Sequence, residues 1–416
     1  MIANRIRFDR NELAGSFGDI GTDLPLIVGI VFAAGLDSAS VFVVFGMLQI
    51  LTGLVYGLPM PMQPLKAMAV LVITQKLAGN ILFGAGLAIG ATMLVLSLSG
   101  GLGILARWIP HCVVRGIQFG LGLSLASLAL KSYIPSMGWS GYALAAGGLV
   151  VMLSLWGNRR FPPGLLVIAI GVVYALVTDL PLGAIADGFA ITLPTLYHPS
   201  LQDILTGFVL LALPQLPLSI SNSVIATEQT IRDLFPRRQV SIRKIGLTYS
   251  IVNLTAPFFG GIPVCHGCGG LAGHYTFGAR TGGSVVIYGM LYVLLGLFFS
   301  GPLHEVLKVF PQPILGVVLL FEALTLLALV RDQVHSRRDL TLALLVGVVA
   351  LAMPHGYVVG LVLGTIVFYA FKRIGLTTQE LADSEVPATT ALQSTPTSGP
   401  PLNAKSSGDS IRRKRG

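Results

Sequence analysis

Apolar residues run along most of this chain in long blocks, broken by short polar intervals that hold most of the Lys and Arg. Blocks of ~20 predominantly apolar residues match the ~30 Å hydrocarbon core that an α-helix crosses at 1.5 Å per residue. On that criterion the pattern predicts spans near 14–34, 39–57, 60–75, 80–103, 110–130, 141–156 and 162–178. A polar connector at 179–202 follows, then a second set near 203–227, 245–260, 263–278, 283–301, 312–330, 339–354 and 355–373. The expected fold is an all-α polytopic membrane protein of about 14 transmembrane segments. It divides into a cytoplasmic N-terminus 1–13, a first repeat 14–178, the connector 179–202, a second repeat 203–373 and a tail 374–416.

The charges test this count, because Lys and Arg collect on the cytoplasmic side of short connections. With the N-terminus inside, that side receives Arg5, Arg7, Arg10, Arg107, Arg115, Arg159, Arg160, Arg232, Arg237, Arg238, Arg243, Arg280, Arg331, Arg337 and Lys372 among others. The opposite side receives Lys76, Lys131 and Lys308. A miscount by one span would scramble this bias, so both termini are expected in the cytoplasm. From Thr377 the chain is rich in Ser, Thr, Pro and Gly and poor in aromatics. Such a segment cannot bury enough apolar surface to fold, so the tail reads as disordered, and its basic end Arg412–Arg415 as a solvated charge run.

Composition agrees. Of 416 residues 53% are hydrophobic and 11% charged, with a mean hydropathy of +0.79, against roughly 25% charged in ordinary soluble domains. No large soluble domain fits in what remains. The net charge of +9 lies in short loops rather than on a folded polar surface, so the partner is the lipid bilayer and not nucleic acid. The three cysteines Cys112, Cys265 and Cys268 fall in or beside apolar runs and imply no disulfide framework. No cleavable signal peptide is read, and helical spans place the chain in the inner membrane if it is bacterial.

Each half has a third segment that is short and broken by Pro and Gly: "PMPMQPLKAMAV" in the first, "GGIPVCHGCGGLAGHY" in the second. Paired interruptions at corresponding positions point to the site of an inverted-repeat transporter. Two halves of odd span number lie in opposite orientation. Pro favours the first turn of a helix, so Pro64 is expected to open one half-helix and Pro263 the facing one. A helix N-terminus presents unsatisfied N–H groups and about half a positive charge. Two converging at mid-membrane make an anion site, where a lysine at position 66 has a negative partner. The alternative is that Lys66 snorkels to an interface and the prolines only kink a packed helix.

Polar side chains in the flanking runs supply candidates. Gln63, Lys66, Thr22, Gln215, Ser219, Asn222, His266, Gly267 and Cys268 are assigned to substrate binding. Asp19, Asp23, Glu228 and Glu322 are assigned to proton coupling, because ionisable residues inside spans mark pathways and relays. Asp19 is the preferred carrier: a carboxyl beside an anion site loads a proton that offsets substrate charge. Permanent pairing of Asp19 with Lys66 is the structural alternative, and Asp23 and Glu228 sit nearer the span ends, where water can satisfy them. For Glu322, proton relay and helix cross-linking are equal readings. The run Cys265, His266, Cys268 supplies three local ligands where a structural zinc wants four, so no metal and no cofactor are assigned.

At these residues the chain resembles the molybdate transporter family, relatives of the sulfate permeases, through "GDIGTDLPL", "PMPMQPLKAMA", "LPQLPLSISNSVIAT" and "PVCHGCGGLAGHYTFGARTGG", four motifs in order covering nearly all of the membrane part. The resemblance implies secondary active uptake of molybdate, with sulfate as the alternative, through a fourteen-span inverted repeat holding the anion between the third and tenth helices. The chain departs from the family pattern at Cys268, where Ser is usual, and at Asp23, where an apolar residue is usual. The regulatory domain usual in sulfate permeases has no counterpart in so short and polar a tail. An anion channel of the same fold, a nucleobase or bicarbonate carrier, and a membrane-embedded enzyme using Asp19 and Asp23 as an acid pair are the competing readings. Expected partners are a small oxyanion and protons; a homodimer is left open.

Overall fold

The computed structural model describes residues 6–155, 163–178, 191–299 and 310–373. The chain divides at Ala370 into a membrane body and a C-terminal unit, Phe371–Gly416, of which the described part is the end of the last helix. The tail from 374, part of the connector, and Arg159, Arg160 and Lys308 lie outside the described residues.

The body is helical. In chain order it comprises α1 (Arg10–Gly15), α2 (Ile20–Ala34), α3 (Ser38–Tyr56), a short strand β1 (Met62–Pro64), α4 (Lys66–Gln75), α5 (Gly79–Ser99), α6 (Gly101–Trp108), α7 (His111–Leu128), α8 (Gly138–Ser154) and α9 (Pro163–Thr178). After the connector come α10 (Leu201–Leu234), α11 (Ile242–Thr255), β2 (Val264–His266), α12 (Cys268–Thr276), α13 (Gly283–Phe298), α14 (Gln312–Ala328), α15 (Arg337–Ala352) and α16 (Gly356–Arg373). Among the described residues, six helical runs are long and apolar enough to cross a membrane, one of them joining α7 to α8. The order of two helices, a three-residue strand, a half-length helix and a long helix occurs twice, as α2–α5 and as α10–α13.

Local chemistry sets the ends. Asp37, Ser200, Ser241 and Ser336 cap α3, α10, α11 and α15 by accepting first-turn N–H groups. The long α10 carries Pro214 and Pro217 in an α-helical stretch flanked by π-helical turns at Phe208–Ala212 and Ser219–Ala226, a feature common at functional sites. A buried carboxylate ties the N-terminal segment to the second half: Glu12 of α1 accepts the N–H groups of Arg280 and Thr281 at 2.9 Å and of Ser284 at 3.1 Å, capping α13.

Packing crosses between the halves. α3 packs on α13, α5 on α11, and α7 on both α14 and α15. Gly46 and Gly289 make the α3–α13 approach close enough that a Cβ on either would meet the other's carbonyl oxygen. Phe42 and Phe45 interlock there with Tyr288 and Tyr292, at ring separations of 4.9 to 6.5 Å, and such aromatic pairs add about 0.5–1.5 kcal/mol each beyond burial.

The two strands pair antiparallel, Met62 opposite His266, Gln63 opposite Cys265 and Pro64 opposite Val264, all buried. This corrects the expectation that Pro64 and Pro263 open helices: they sit in and before the ribbon, and the helices begin at Lys66 and Cys268. A two-stranded ribbon inside a bilayer leaves two polar edges without water. Two side-chain amides close them. Gln49 of α3 donates to Met62 O at 2.6 Å and accepts from Met62 N at 2.8 Å. Asn253 of α11 donates to Val264 O at 2.7 Å and accepts from Val264 N at 2.9 Å. Replacing Gln49 or Asn253 with Leu orphans one N–H and one C=O, so each variant is expected to lose roughly 2–5 kcal/mol of stability. Thermal unfolding in detergent checks this; a midpoint equal to that of the parent would refute the edge-closing role.

Candidate functional site

The ribbon organises the site. α4 leaves one end of it and α12 the other, so two helix N-termini flank a strand pair only three residues long, roughly 10 Å at strand rise. Directly opposed residues share a face, so Gln63 and Cys265 point one way while Met62 and His266 point the other.

On the Gln63 face lies a cluster of charge. Gln63 Nε2 donates to Asp19 Oδ2 at 2.6 Å, and both side chains are buried. Asp19 is the residue just before α2, and Asp23 follows one turn later, accepting from Tyr288 Oη at 3.2 Å. Tyr288 continues to Tyr292 Oη at 3.1 Å. The first residue of α4, Lys66, donates from Nζ to Glu322 Oε1 at 2.8 Å. Its side chain is 28% exposed and that of Glu322 is 8% exposed, so the accessible surface of the pair is on the lysine side chain. Lys66 is also within electrostatic reach of Asp19, Asp23, Cys265 and Cys268.

The two half-helices differ at their N-termini. The first-turn amides of α4 are taken: Gln215 Oε1 accepts from Ala67 N at 2.9 Å and Met68 N at 3.3 Å. Gln215 Nε2 donates to Ser219 Oγ at 3.1 Å, and Ser219 meets Tyr249 Oη at 2.8 Å. Gln215 and Ser219, expected as substrate ligands, therefore serve as an internal cap on α4. The first turn of α12 is open. Gly269 is exposed, with nothing within 4 Å of where its Cβ would lie, and Cys268 is partly exposed, its Sγ donating to Oδ1 of the exposed Asn222 at 3.2 Å. Among the described residues no side-chain oxygen or nitrogen bonds to the first-turn amides of α12, whose near neighbour is the Sγ of Cys268 itself.

Glycine is required on the inner side of the same turn. A Cβ at Gly267 would fall on Oε1 of Gln63, and one at Gly270 would fall on Oδ2 of Asp19. These positions admit the Gln63–Asp19 pair against the backbone.

Thus Asp19, Asp23, Gln63, Lys66 and Glu322 come together, with Gly267 and Cys268 on the facing turn of α12 and Asn222 of α10 beside it. Lys66 does not snorkel; its hydrogen-bonded carboxylate is Glu322, which joins the two halves. His266 is on the other face of the ribbon, its Nε2 at 2.8 Å from Thr248 Oγ1 and its ring edge-on to Tyr56 at 5.2 Å, so it does not reach the cluster. Glu228 pairs with Arg232 one turn along α10 at 2.5 Å, and Asp23, expected nearer a span end, is 1% exposed. Thr22 is in α2, and its side chain is outside those described. Sequence reading missed Gln49, Asn253 and Glu12, and took Arg115 only as a loop charge; Arg115 donates to Asp332 and to Gln118 Oε1 at 2.9 Å and lies in electrostatic reach of Cys268. A lone amide or acid in an amphipathic context carries no signal of its partner.

Comparison with known proteins gives this geometry a context. The bicarbonate transporter BicA of a cyanobacterium has a transmembrane domain that superposes with a TM-score of 0.63 at 17% identity, over 85% of this chain and 100% of that one. Murine Slc26a9, an anion transporter captured in the inward-facing state, gives 0.64 at 13% identity, over 88% of this chain and 70% of that one. The fold is therefore that of these transporters. By sequence the chain is 32% identical to molybdate transporter 1 of Arabidopsis thaliana, over 77% of this chain and 80% of the relative, and 29% identical to molybdate transporter 1 of Chlamydomonas reinhardtii, over 85% and 90%. These proteins are transporters, and so is this one; the enzyme reading of Asp19 and Asp23 falls away. The profile described as "Molybdate transporter of MFS superfamily" matches residues 11–125 and 207–326, and with these relatives it establishes that the chain belongs to the molybdate transporter family.

Proposed function

We propose that the protein is a secondary active transporter that takes up a tetrahedral oxyanion, molybdate first and sulfate as the alternative, with protons as the coupling ion. The observation that carries this is the open first turn of α12 beside Lys66: free amides at a helix N-terminus and a nearby ammonium are a ready-made seat for an anion. Gly267 and Cys268 present the turn, Asn222 borders it, and Gln63 holds Asp19 behind it.

Charge supports the coupling. A dianion arriving here joins three carboxyls, Asp19, Asp23 and Glu322, and one ammonium, Lys66, and uncompensated charge in a membrane interior is expensive. Protons carried on the carboxyls, Asp19 first, offset the cargo and travel with it. The recurring element order and the two blocks of the family match support two inverted repeats of seven spans each. The bias of Lys and Arg between the loops supports a cytoplasmic position for both termini.

Lys66→Ala is expected to cut molybdate uptake into proteoliposomes by at least about tenfold, and Asp19→Asn to remove its pH dependence. Normal pH-dependent uptake by both variants would sink the assignment. Labelled molybdate challenged with sulfate, tungstate, phosphate and bicarbonate ranks the substrates; competition by bicarbonate alone would favour a carrier of a different anion.

A second expectation separates the two glycines. Gly267→Ala displaces Gln63 and should weaken molybdate binding about tenfold. Gly269→Ala adds a methyl to open space and should leave the thermal midpoint unchanged. Indistinguishable binding by Gly267→Ala and the parent would show that Gln63 placement is irrelevant.

A further inference from the structure

We infer that Glu322 is a tethered counter-anion that competes with the substrate for Lys66 and so sets how the site weighs the charge of its cargo. The inference rests on the oxyanion site proposed above. Three observations lead to it. Glu322 comes from α14 in the second half and Lys66 from α4 in the first, so their 2.8 Å contact is a long-range one made inside the site and not a local helix pair. The carboxylate is buried at 8% exposure while the lysine side chain remains 28% exposed, so what accessible surface the pair has lies on the lysine side chain and not on the carboxylate. The open turn of α12, with Cys268 and Gly269, lies within electrostatic reach of the same ammonium. A carboxylate oxygen on Lys66 is thus chemically a stand-in for an oxyanion oxygen, held by the chain itself.

The consequence is quantitative. The Coulomb energy between a fixed charge and a ligand is proportional to the ligand's charge. A carboxylate beside the site therefore opposes a dianion twice as strongly, in free energy, as a monoanion in the same seat. Molybdate and perrhenate are both tetrahedral oxyanions of nearly equal size, and they differ by one unit of charge. Neutralising Glu322 must strengthen both, with the logarithmic gain for molybdate about double that for perrhenate. A purely structural role, cross-linking α4 and α14, predicts instead that both anions weaken together.

The test is equilibrium binding of molybdate and perrhenate to the purified full chain, for the parent, Glu322→Gln and Glu322→Asp. In Glu322→Gln, perrhenate should tighten by about tenfold and molybdate by about a hundredfold. In Glu322→Asp, which keeps the charge, the ratio of the two affinities should stay within about twofold of the parent. Glu322→Ala gives the same readout as the Gln variant should that variant not fold. Equal gains for the two anions, no gain, or a parallel loss in both the Gln and the Asp variants would overturn the inference while leaving the site intact. Failure of the parent to bind either anion would instead overturn the site assignment, so the two failures are distinguishable.

Discussion

The whole arrangement depends on satisfying the buried backbone polar groups of the ribbon inside an apolar helical body. A helix that starts inside a bilayer must expose N–H groups, and the chain leading into it must leave the helical conformation. Here both half-helices are fed by strands, and the strands satisfy each other. What remains is the outer edge of each strand, and Gln49 and Asn253 fill it with one amide apiece, donating and accepting once. They come from corresponding helices, α3 and α11, each packed against a long helix of the other half. The same cross-packing that joins the halves therefore delivers the two amides to the ribbon, and the ribbon delivers two helix N-termini to one place.

Charge is arranged under the same constraint. A lysine at the first position of a helix opposes the helix dipole, and in a membrane body it needs a compensating group. Glu322 supplies it directly and Asp19 and Asp23 surround it, while Tyr288 and Gln63 provide the hydrogen bonds that buried carboxyls require. The result is a polar cluster in an otherwise apolar body, held in a geometry that a bound anion can exploit.

Much of this was legible from the chain alone, for physical reasons. The helical, apolar character of the body follows from length and hydropathy, and the two breaks from prolines and glycines that no uninterrupted helix tolerates. Asp19, Gln63, Lys66 and Glu322 were visible because polar groups inside spans are expensive and stand out. The ribbon was not visible. Three residues are too few for an alternation to register, and Pro64 reads as a helix start when in fact the helix opens at Lys66. His266 was misplaced for the same reason: without the strand register there is no telling that it and Gln63 lie on opposite faces. Gln215 and Ser219 were found as polar residues, but the capping of α4 by Gln215 was not, since a single side-chain oxygen bonded to two amides of a distant helix leaves no periodic trace.

The cap on α4 exposes an asymmetry between the two short helices. Two equivalent N-termini would attract an anion equally and hold it midway. Instead Gln215 closes the amides of α4, while α12 keeps its turn open between Cys268 and Gly270. The first half contributes a side-chain charge, Lys66, and the second contributes backbone donors. A point charge on a flexible stem can follow a moving anion and tolerate several poses, whereas backbone amides fix a direction. Dividing the two kinds of attraction between halves that cross-pack means that relative motion of α4 and α12 changes both terms at once. In the proposed site, an anion seated between them would be held best at one relative position of the halves, which is the condition under which cargo and conformation become linked.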